Sequence, residues 1–420
     1  MYFAVGRKIL THFCGSQFKR LSIRGSFVRF NSTALENNLS SLENSAKTDT
    51  KASELNKISA AVLKDFSEPL IIENYELPKR LQPNEVLIDV QYCALNASDA
   101  LLSKNLYTFQ PTLPMVLGYE LMGKLVEIGD EAQKNGYKVG DKVIALNKER
   151  YGGLAERCIA EVGDIWRIPS EVKSLDAVCL MDDYISALVA LERKVEIQED
   201  DMIVINVGLS SIGLAAADLA TNVFRAKVIG ISATEDGATL VREKGAYASL
   251  KFKEKKLIKE IEAAAGEKNI KAIFDDSDGK YFKKVLSCFT DIYNDTKKIK
   301  DFLRDDTFAV VVHHLSREGR VVVAGSTKTP DEHSDVQNGS FSVTGLNLRE
   351  YRKKKPEVYR VAGDEVLQFF EEGLIKPNCS MVVGLNKVND AIKCIFESKT
   401  AIKVIVDVKN RDAETDDGKK

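Results

Sequence analysis

The chain has 420 residues, of which 44% are hydrophobic and 29% charged. A net charge of −2 excludes a global electrostatic pull toward nucleic acid or anionic lipid, and no uninterrupted apolar run reaches the eighteen or so residues of a membrane span. The length accommodates two domains of ordinary size. Seven cysteines at 14, 93, 158, 179, 288, 379 and 394, with no CxxC pair, fit small buried thiols better than a disulfide framework.

Residues 1–30 carry Arg7, Lys8, Lys19, Arg20, Arg24 and Arg29, with no acidic residue before Glu36. Interleaved apolar and hydroxyl residues complete the composition of a mitochondrial transit peptide, and Arg29 stands at the second position before a cut after Phe30. The expected location is mitochondrial, in the matrix; the alternative is a basic tail of a cytosolic protein. Residues 31–55 read as a polar linker. Residues 411–420, poor in apolar side chains, read as a disordered tail.

Residues 56–185 form the first part of a β-rich domain. "EVLIDVQYCAL", "GKLVEIGDEA" and "VGDKVIAL" are strand-length runs flanked by Gly and Asp, and helical periodicity is scarce. Residues 186–340 alternate instead. "MIVINV", "AKVIGIS", "IKAIFD" and "EGRVVVAGS" are strands; Ser211 to Phe224, "EDGATLVREKGA" and "KLIKEIEAAAG" are helices. Gly245 closes the second of these helices. Strands separated by helices imply βαβ units and a doubly wound parallel sheet. Residues 289–308 are charged and read as an insertion. Residues 341–410, with the helix "DEVLQFFEEG" and the strand "AIKVIVDV", are assigned as a return to the first domain.

The segment "VGLSSIGLAAADLA", Val207 to Ala220, lies where a strand meets a helix, the place of a dinucleotide-binding turn. Such a turn needs glycine for tight reversal, for approach of backbone to pyrophosphate, and for close helix–strand packing. Gly208 serves the first need and Gly213 the third. Ser210 and Ser211 stand where backbone meets phosphate, and their hydroxyls are expected to donate to it beside the helix N-terminus. The alternative is a turn that merely packs. The next strand ends at Ser232 in "VIGISATED", while Glu235 and Asp236 fall later, at a helix start. Small residues at this strand end leave room for a 2′-phosphate, so NADP(H) is expected ahead of NAD(H). Ile212 on the turn, and Gly325 and Ser326 after the later strand, complete the cofactor-binding set.

The run "YCALNASDALLSKNLY…LPMVLGYELMGKLVEIG…VGDKVIAL…YGGLAERCIA" resembles the medium-chain dehydrogenases/reductases, in particular their quinone oxidoreductase branch. The resemblance extends from about Ile58 to Val408. It implies an α/β fold: a GroES-like β-rich catalytic domain with an inserted Rossmann domain, a cleft between them, and assembly as a homodimer or homotetramer. In the zinc-dependent branch a Cys and a His-Glu pair hold the metal; here the corresponding positions are Asn96, Tyr119 and Glu120. No cysteine cluster lies between Val143 and Gly152, so no zinc is expected. Without that Lewis acid, the feasible chemistry is hydride delivery to an already electrophilic carbon, as in a quinone or an α,β-unsaturated carbonyl.

The resemblance places Asn96, Asp99 and Tyr107 at the catalytic site. Asn96 is expected to orient the nicotinamide carboxamide or a substrate carbonyl. Tyr107 either donates to a developing oxyanion or packs against "QPTLP"; Asp99 is a catalytic or a structural bond-maker. The chain departs from the branch at Leu101 and Phe252, where tyrosines are frequent, at Gly237, where a lysine is frequent, and at Ile402-Lys403, where Gly-Lys is usual. His313 and His314 are expected at a helix end with no shared chemistry. Two rival readings remain: an enoyl thioester reductase, and a catalytically weak or inactive nucleotide- or partner-binding protein of the same fold.

Overall fold

The computed structural model describes residues 57–107, 111–169, 172–207, 211–252, 256–268, 270–275, 319–325, 341–396 and 403–413. The transit-peptide and linker assignments, the 289–308 insertion, His313, His314, Gly208, Ser210 and Ser326 lie outside these residues.

The chain enters through β1 (Lys57–Leu63) and β2 (Ile71–Glu76), then the long β3 (Glu85–Leu95) and α1 (Ala97–Ser103). β4 (Met115–Val116), β5 (Glu120–Ile128), α2 (Asp130–Lys134), β6 (Lys142–Leu146), β7 (Arg157–Glu161) and β8 (Ile165–Arg167) follow. These strands are rich in Val, Ile and Leu on their buried faces, as pleated half-buried surfaces require. β1 pairs antiparallel with both β2 and β4 in a small sheet. β3, β5, β6 and β8 lie side by side in a larger one, with β7 against β3. α3 (Ser174–Ala177) and α4 (Met181–Ala190) then lead out of this half.

The second sheet is built from β9 (Met202–Val207), α5 (Ser211–Asp218), β10 (Lys227–Ser232), α6 (Glu235–Glu243), β11 (Ala248–Lys251), α7 (Leu257–Ala265), β12 (Ile270–Asp275), β13 (Gly319–Gly325) and β14 (Phe341–Asn347). Their order, β11-β10-β9-β12-β13-β14, is that of a doubly wound dinucleotide-binding sheet. All six residues of β9 are buried. Ile203, Ile205 and Val207 face one hydrophobic cluster with residues of α5, while Met202 and Val204 face another with Leu257 and Ile261 of α7. Burial on both faces explains the unbroken apolar run.

After α8 (Leu348–Lys354) and α9 (Pro356–Glu371), the chain closes with β15 (Cys379–Gly384), α10 (Val388–Phe396) and β16 (Lys403–Asp407). β16 pairs antiparallel with β3, and β15 parallel with β16, so the last two strands rejoin the first large sheet. α9 docks through Trp166: its indole Nε1 donates to the Arg360 carbonyl at 3.4 Å, and the Arg360 guanidinium lies 4.8 Å over the ring. Arg352 of α8 grips Asp164 at 2.5 Å and Glu161 at 2.7 Å.

Four expectations are corrected. The domain boundary placed at 185/186 cuts α4, whose ten residues are all buried and which continues through a wider π turn at Leu191–Val195. The boundary at 340/341 cuts off β14, which pairs with β13 along seven residues. The doubly wound sheet is not wholly parallel: β12–β13 and β13–β14 pair antiparallel. Finally, residues 411–413 are docked rather than disordered. The Ala413 carbonyl accepts the Gly384 N–H at 2.6 Å, and Arg411 pairs with Glu156 at 2.5 Å.

Candidate functional site

In an open α/β sheet, ligands bind outside the carboxyl ends of the strands, where the strand order reverses. Here that point lies between β9 and β12. The strand ends there carry a buried polar pair, Asn206 Nδ2 donating to Asp275 Oδ1 at 3.2 Å. α5 starts at Ser211, directly after the turn that leaves β9. Ile212 and Gly213 are both buried in its first turn. A Cβ at Gly213 would lie 2.9 Å from the Cα of Val207. The glycine thus permits the close helix–strand approach expected of it. This cradle fits a nicotinamide dinucleotide.

The Ser211 hydroxyl does not behave as expected. It donates to Asp183 Oδ2 at 2.6 Å, so its proton is turned inward and away from any phosphate. Ser232 is buried at the end of β10, where its Oγ accepts the Thr234 N–H at 3.3 Å and its carbonyl accepts the Phe252 N–H at 2.8 Å. Beside it in register stands Lys251, whose ammonium lies 3.9 Å from Glu235. The Thr234 hydroxyl caps α6 by accepting from the Gly237 N–H. Gly325 ends β13, two strands from β9.

The sites read from "NASD" and "GYE" converge. β3 ends at Leu95 and α1 begins at Ala97, so Asn96 sits at the junction, while Tyr119 and Glu120 open β5. Asn96 Nδ2 donates to Glu120 Oε2 at 3.1 Å and to the Ala94 carbonyl at 3.5 Å. Its amide hydrogens are turned toward these two acceptors. Asp99 is fully buried: one oxygen accepts the Asn96 N–H and the other the Gly118 N–H, both at 3.0 Å. It ties α1 to the loop before β5, the structural bond-making role that was one of its two expected readings. Burial raises its carboxyl to about 7 against the two backbone bonds. Tyr107 is buried, as is Leu101.

Around Glu120 lies a buried ionic cluster that the sequence reading did not assemble. Lys403 of β16 reaches Glu120 Oε2 at 2.5 Å and Asp183 Oδ2 at 2.9 Å. The Asp182 N–H donates to Glu120 Oε1 at 3.0 Å. Tyr119 Oη donates to Asp182 Oδ2 at 2.7 Å and shares a 2.8 Å bond with Ser98 Oγ. Lys148 pairs with Asp182 Oδ1 at 2.5 Å and lies 4.7 Å over the Tyr119 ring. Burial disfavours the Lys403 charge, but Asp183 and Glu120 outweigh it and hold the ammonium above its ordinary range. Burial pushes the Glu120 carboxyl up, with Lys403 opposing. Burial also drives the Tyr119 phenol well above its usual value. The one signal in the sequence was the acidic pair Asp182-Asp183 inside the apolar run "CLMDDYISALVAL", since charges in a buried helix need partners. Among the described residues, no group of three or more His, Cys, Asp or Glu side chains is arranged to hold a metal ion, and no helix is long and apolar enough to cross a membrane.

Residues 82–170 match the alcohol dehydrogenase GroES-like domain. The quinone oxidoreductase-like protein 2 of Mus musculus is 28% identical over 355 residues, covering 83% of this chain and 92% of the mouse protein. The quinone oxidoreductase of Sus scrofa is 25% identical over 321 residues, 76% of this chain and 87% of the pig protein. A mycobacterial protein solved in complex with NADPH superposes with a TM-score of 0.62 at 18% identity, covering 84% of this chain and 100% of that one. A GroES-like sheet closed by the C-terminal strands around a doubly wound domain is the architecture of a medium-chain dehydrogenase/reductase, and the chain is an oxidoreductase of that superfamily. Within it, the chain is similar to the quinone oxidoreductase branch, the relatives of which named above are 28% and 25% identical to it.

Proposed function

We propose that the protein is a zinc-independent, NADP(H)-dependent oxidoreductase acting on a quinone or an α,β-unsaturated carbonyl. The observation that carries this reading is the set of groups around Glu120. At the positions where zinc-dependent relatives place a cysteine and a histidine stand an amide and a phenol, and Asn96, Lys403 and the Asp182 backbone already satisfy the carboxylate. An ammonium is thus the cation that Glu120 holds, and a carbonyl substrate finds no Lewis acid to polarise it. Substrates whose acceptor carbon is already electrophilic do not need one.

NADPH, when bound, supplies the hydride. The chain's own residues hold and orient. Gly213 and the start of α5 receive the pyrophosphate end. Ser232 and Lys251 flank the strand end where a 2′-phosphate would lie, the ammonium supplying the charge complement. Asn96 stands at the β3–α1 junction to orient the carboxamide, and Tyr107 supplies a phenol to the oxyanion that hydride addition leaves. The mycobacterial relative's complex with NADPH supports the choice of cofactor.

Calorimetric titration of NADPH and NADH into the protein, followed by a screen of quinones and enones for NADPH oxidation, tests the reading. Preferred binding of NADPH with turnover of either substrate class is expected. Saturable NADPH binding without turnover favours the rival in which the fold is kept for binding alone. Residues 1–30 are further proposed to direct the chain to the mitochondrial matrix, and the protein to assemble as a homodimer or homotetramer. Import of a reporter fused to these residues and the sedimentation mass of the protein check the two proposals.

A further inference from the structure

β15 is an edge strand of the first large sheet, and Cys379 opens it with a half-buried thiol. Cys179 lies far away along the chain, buried in the turn that joins α3 to α4. Three contacts bring the two together. Cys379 Sγ donates to the Leu175 carbonyl at 3.7 Å, one helical turn before Cys179. Lys403, the residue of β16 opposite Cys379 in register, donates from Nζ to the Cys179 carbonyl at 3.4 Å. The two thiols are hydrogen-bonded to each other. We propose that Cys179 and Cys379 form a redox-active dithiol that a hydroperoxide oxidises to a disulfide, Cys379 meeting the oxidant and Cys179 resolving the product.

Exposure assigns the roles, because a thiol must be reached to be oxidised. Cys379 Sγ gives up its proton and attacks one oxygen of the hydroperoxide. The O–O bond breaks, the alkoxide takes the released proton and leaves as an alcohol, and Cys379 becomes a sulfenic acid. Cys179 Sγ then attacks Cys379 Sγ. An S–S bond forms, the S–O bond breaks, and the hydroxyl leaves as water with the Cys179 proton. Two thiols and one hydroperoxide thus give one disulfide, one alcohol and one water, and the peroxide takes the two electrons that the sulfurs lose. Burial pushes the Cys179 thiol well above its usual range, which keeps it protonated until the sulfenic acid stands beside it. The backbone allows the sulfurs to close to the roughly 2.05 Å of a disulfide. The register of β15 on β16 shifts between Cys379 and Met381, an irregularity that loosens the ladder where the strand begins.

The test uses the full chain, reduced, freed of reductant and exposed to stoichiometric hydrogen peroxide. The reaction is quenched with N-ethylmaleimide in denaturant and followed by peptide mass spectrometry. The expected product is a cross-linked pair of peptides carrying Cys179 and Cys379, two hydrogens lighter than the separate peptides and released by dithiothreitol. Alkylatable thiol should disappear at both positions in parallel, at least about tenfold faster than at the buried Cys93 and Cys158. In Cys179→Ser, oxidation should stop at a sulfenic acid on Cys379, which dimedone traps. In Cys379→Ser, Cys179 should stay alkylatable. Both thiols still alkylatable after peroxide, or either one joined to a different cysteine, overturns the proposal, as does an undiminished loss of the Cys179 thiol in Cys379→Ser. The pairing is decided on the parent chain alone, whether or not the variants fold.

Discussion

Lys403→Met is the most direct probe of the buried cluster. Methionine keeps most of the volume of the lysine stem and removes only the ammonium. The structure shows what remains. Glu120 keeps Asn96 Nδ2 at 3.1 Å and the Asp182 N–H at 3.0 Å, and Asp183 keeps the Ser211 hydroxyl. Neither carboxylate keeps the cation they shared, and both are buried. Breaking a buried pair from one side costs about 3–5 kcal/mol, most of it from the charge left behind. The expected result is a loss of that size at pH 7.5, read as a lower urea midpoint with an unchanged slope. The loss should shrink on acidification, because Glu120, which burial holds above the usual carboxylate range, takes up a proton and sheds its uncompensated charge. Adding Glu120→Gln should recover at least about 1 kcal/mol, the signature of coupling between neighbours. The parent's own Lys403 pairing has the opposite sense. Its ammonium is held above the ordinary range, so its stabilisation is complete below the usual lysine pKa and disappears only at higher alkalinity. A Lys403→Met variant within about 1 kcal/mol of the parent, or a double variant showing no coupling, would falsify the cluster's role in holding β16 to α4.

Three further predictions concern single positions. Gly213→Ala places a Cβ 2.9 Å from the Val207 backbone, so α5 must lift from β9. A net loss of about 1–3 kcal/mol and weaker NADPH binding are expected, and unchanged stability and affinity would refute the close-approach argument. The Asp99 carboxyl, held at about 7 when folded, binds a proton the unfolded chain has released. It therefore makes the parent lose roughly 1–1.5 kcal/mol of stability as the pH rises from 6 to 8, a slope that Asp99→Asn should flatten. Thermal midpoints at the two pH values check this; equal slopes in both proteins would count against it. Gly363→Ala in α9 drives a Cβ into the Trp166 indole ring. Because Trp166 is the chain's single tryptophan, its emission should shift to the red as α9 lifts and the ring meets water. An unshifted spectrum would mean that the helix packs otherwise.

Much of this could be read along the chain. The run "EVLIDVQYCAL" is β3, and "MIVINV" is β9 to the residue, because continuous apolar strands bounded by turn residues have few other ways to bury themselves. Gly213 was legible because close helix–strand packing requires the smallest side chain. The neighbouring Ser211 was not. Its hydroxyl has two possible acceptors, a ligand and a carboxylate, and only the course of α4 brings Asp183 within 2.6 Å of it.

The sequence by itself determined the alternation of elements, the β-rich first half and the αβ second half. These follow from local pattern and residue type. Tertiary structure alone decided that β13 and β14 run antiparallel, that residues 411–413 dock, and that Lys403 meets Glu120 across 283 positions of chain. The physical reason is the same in each case. Local propensity reports which groups must be buried. Which charge neutralises which is settled only where strands from distant parts of the chain share one sheet.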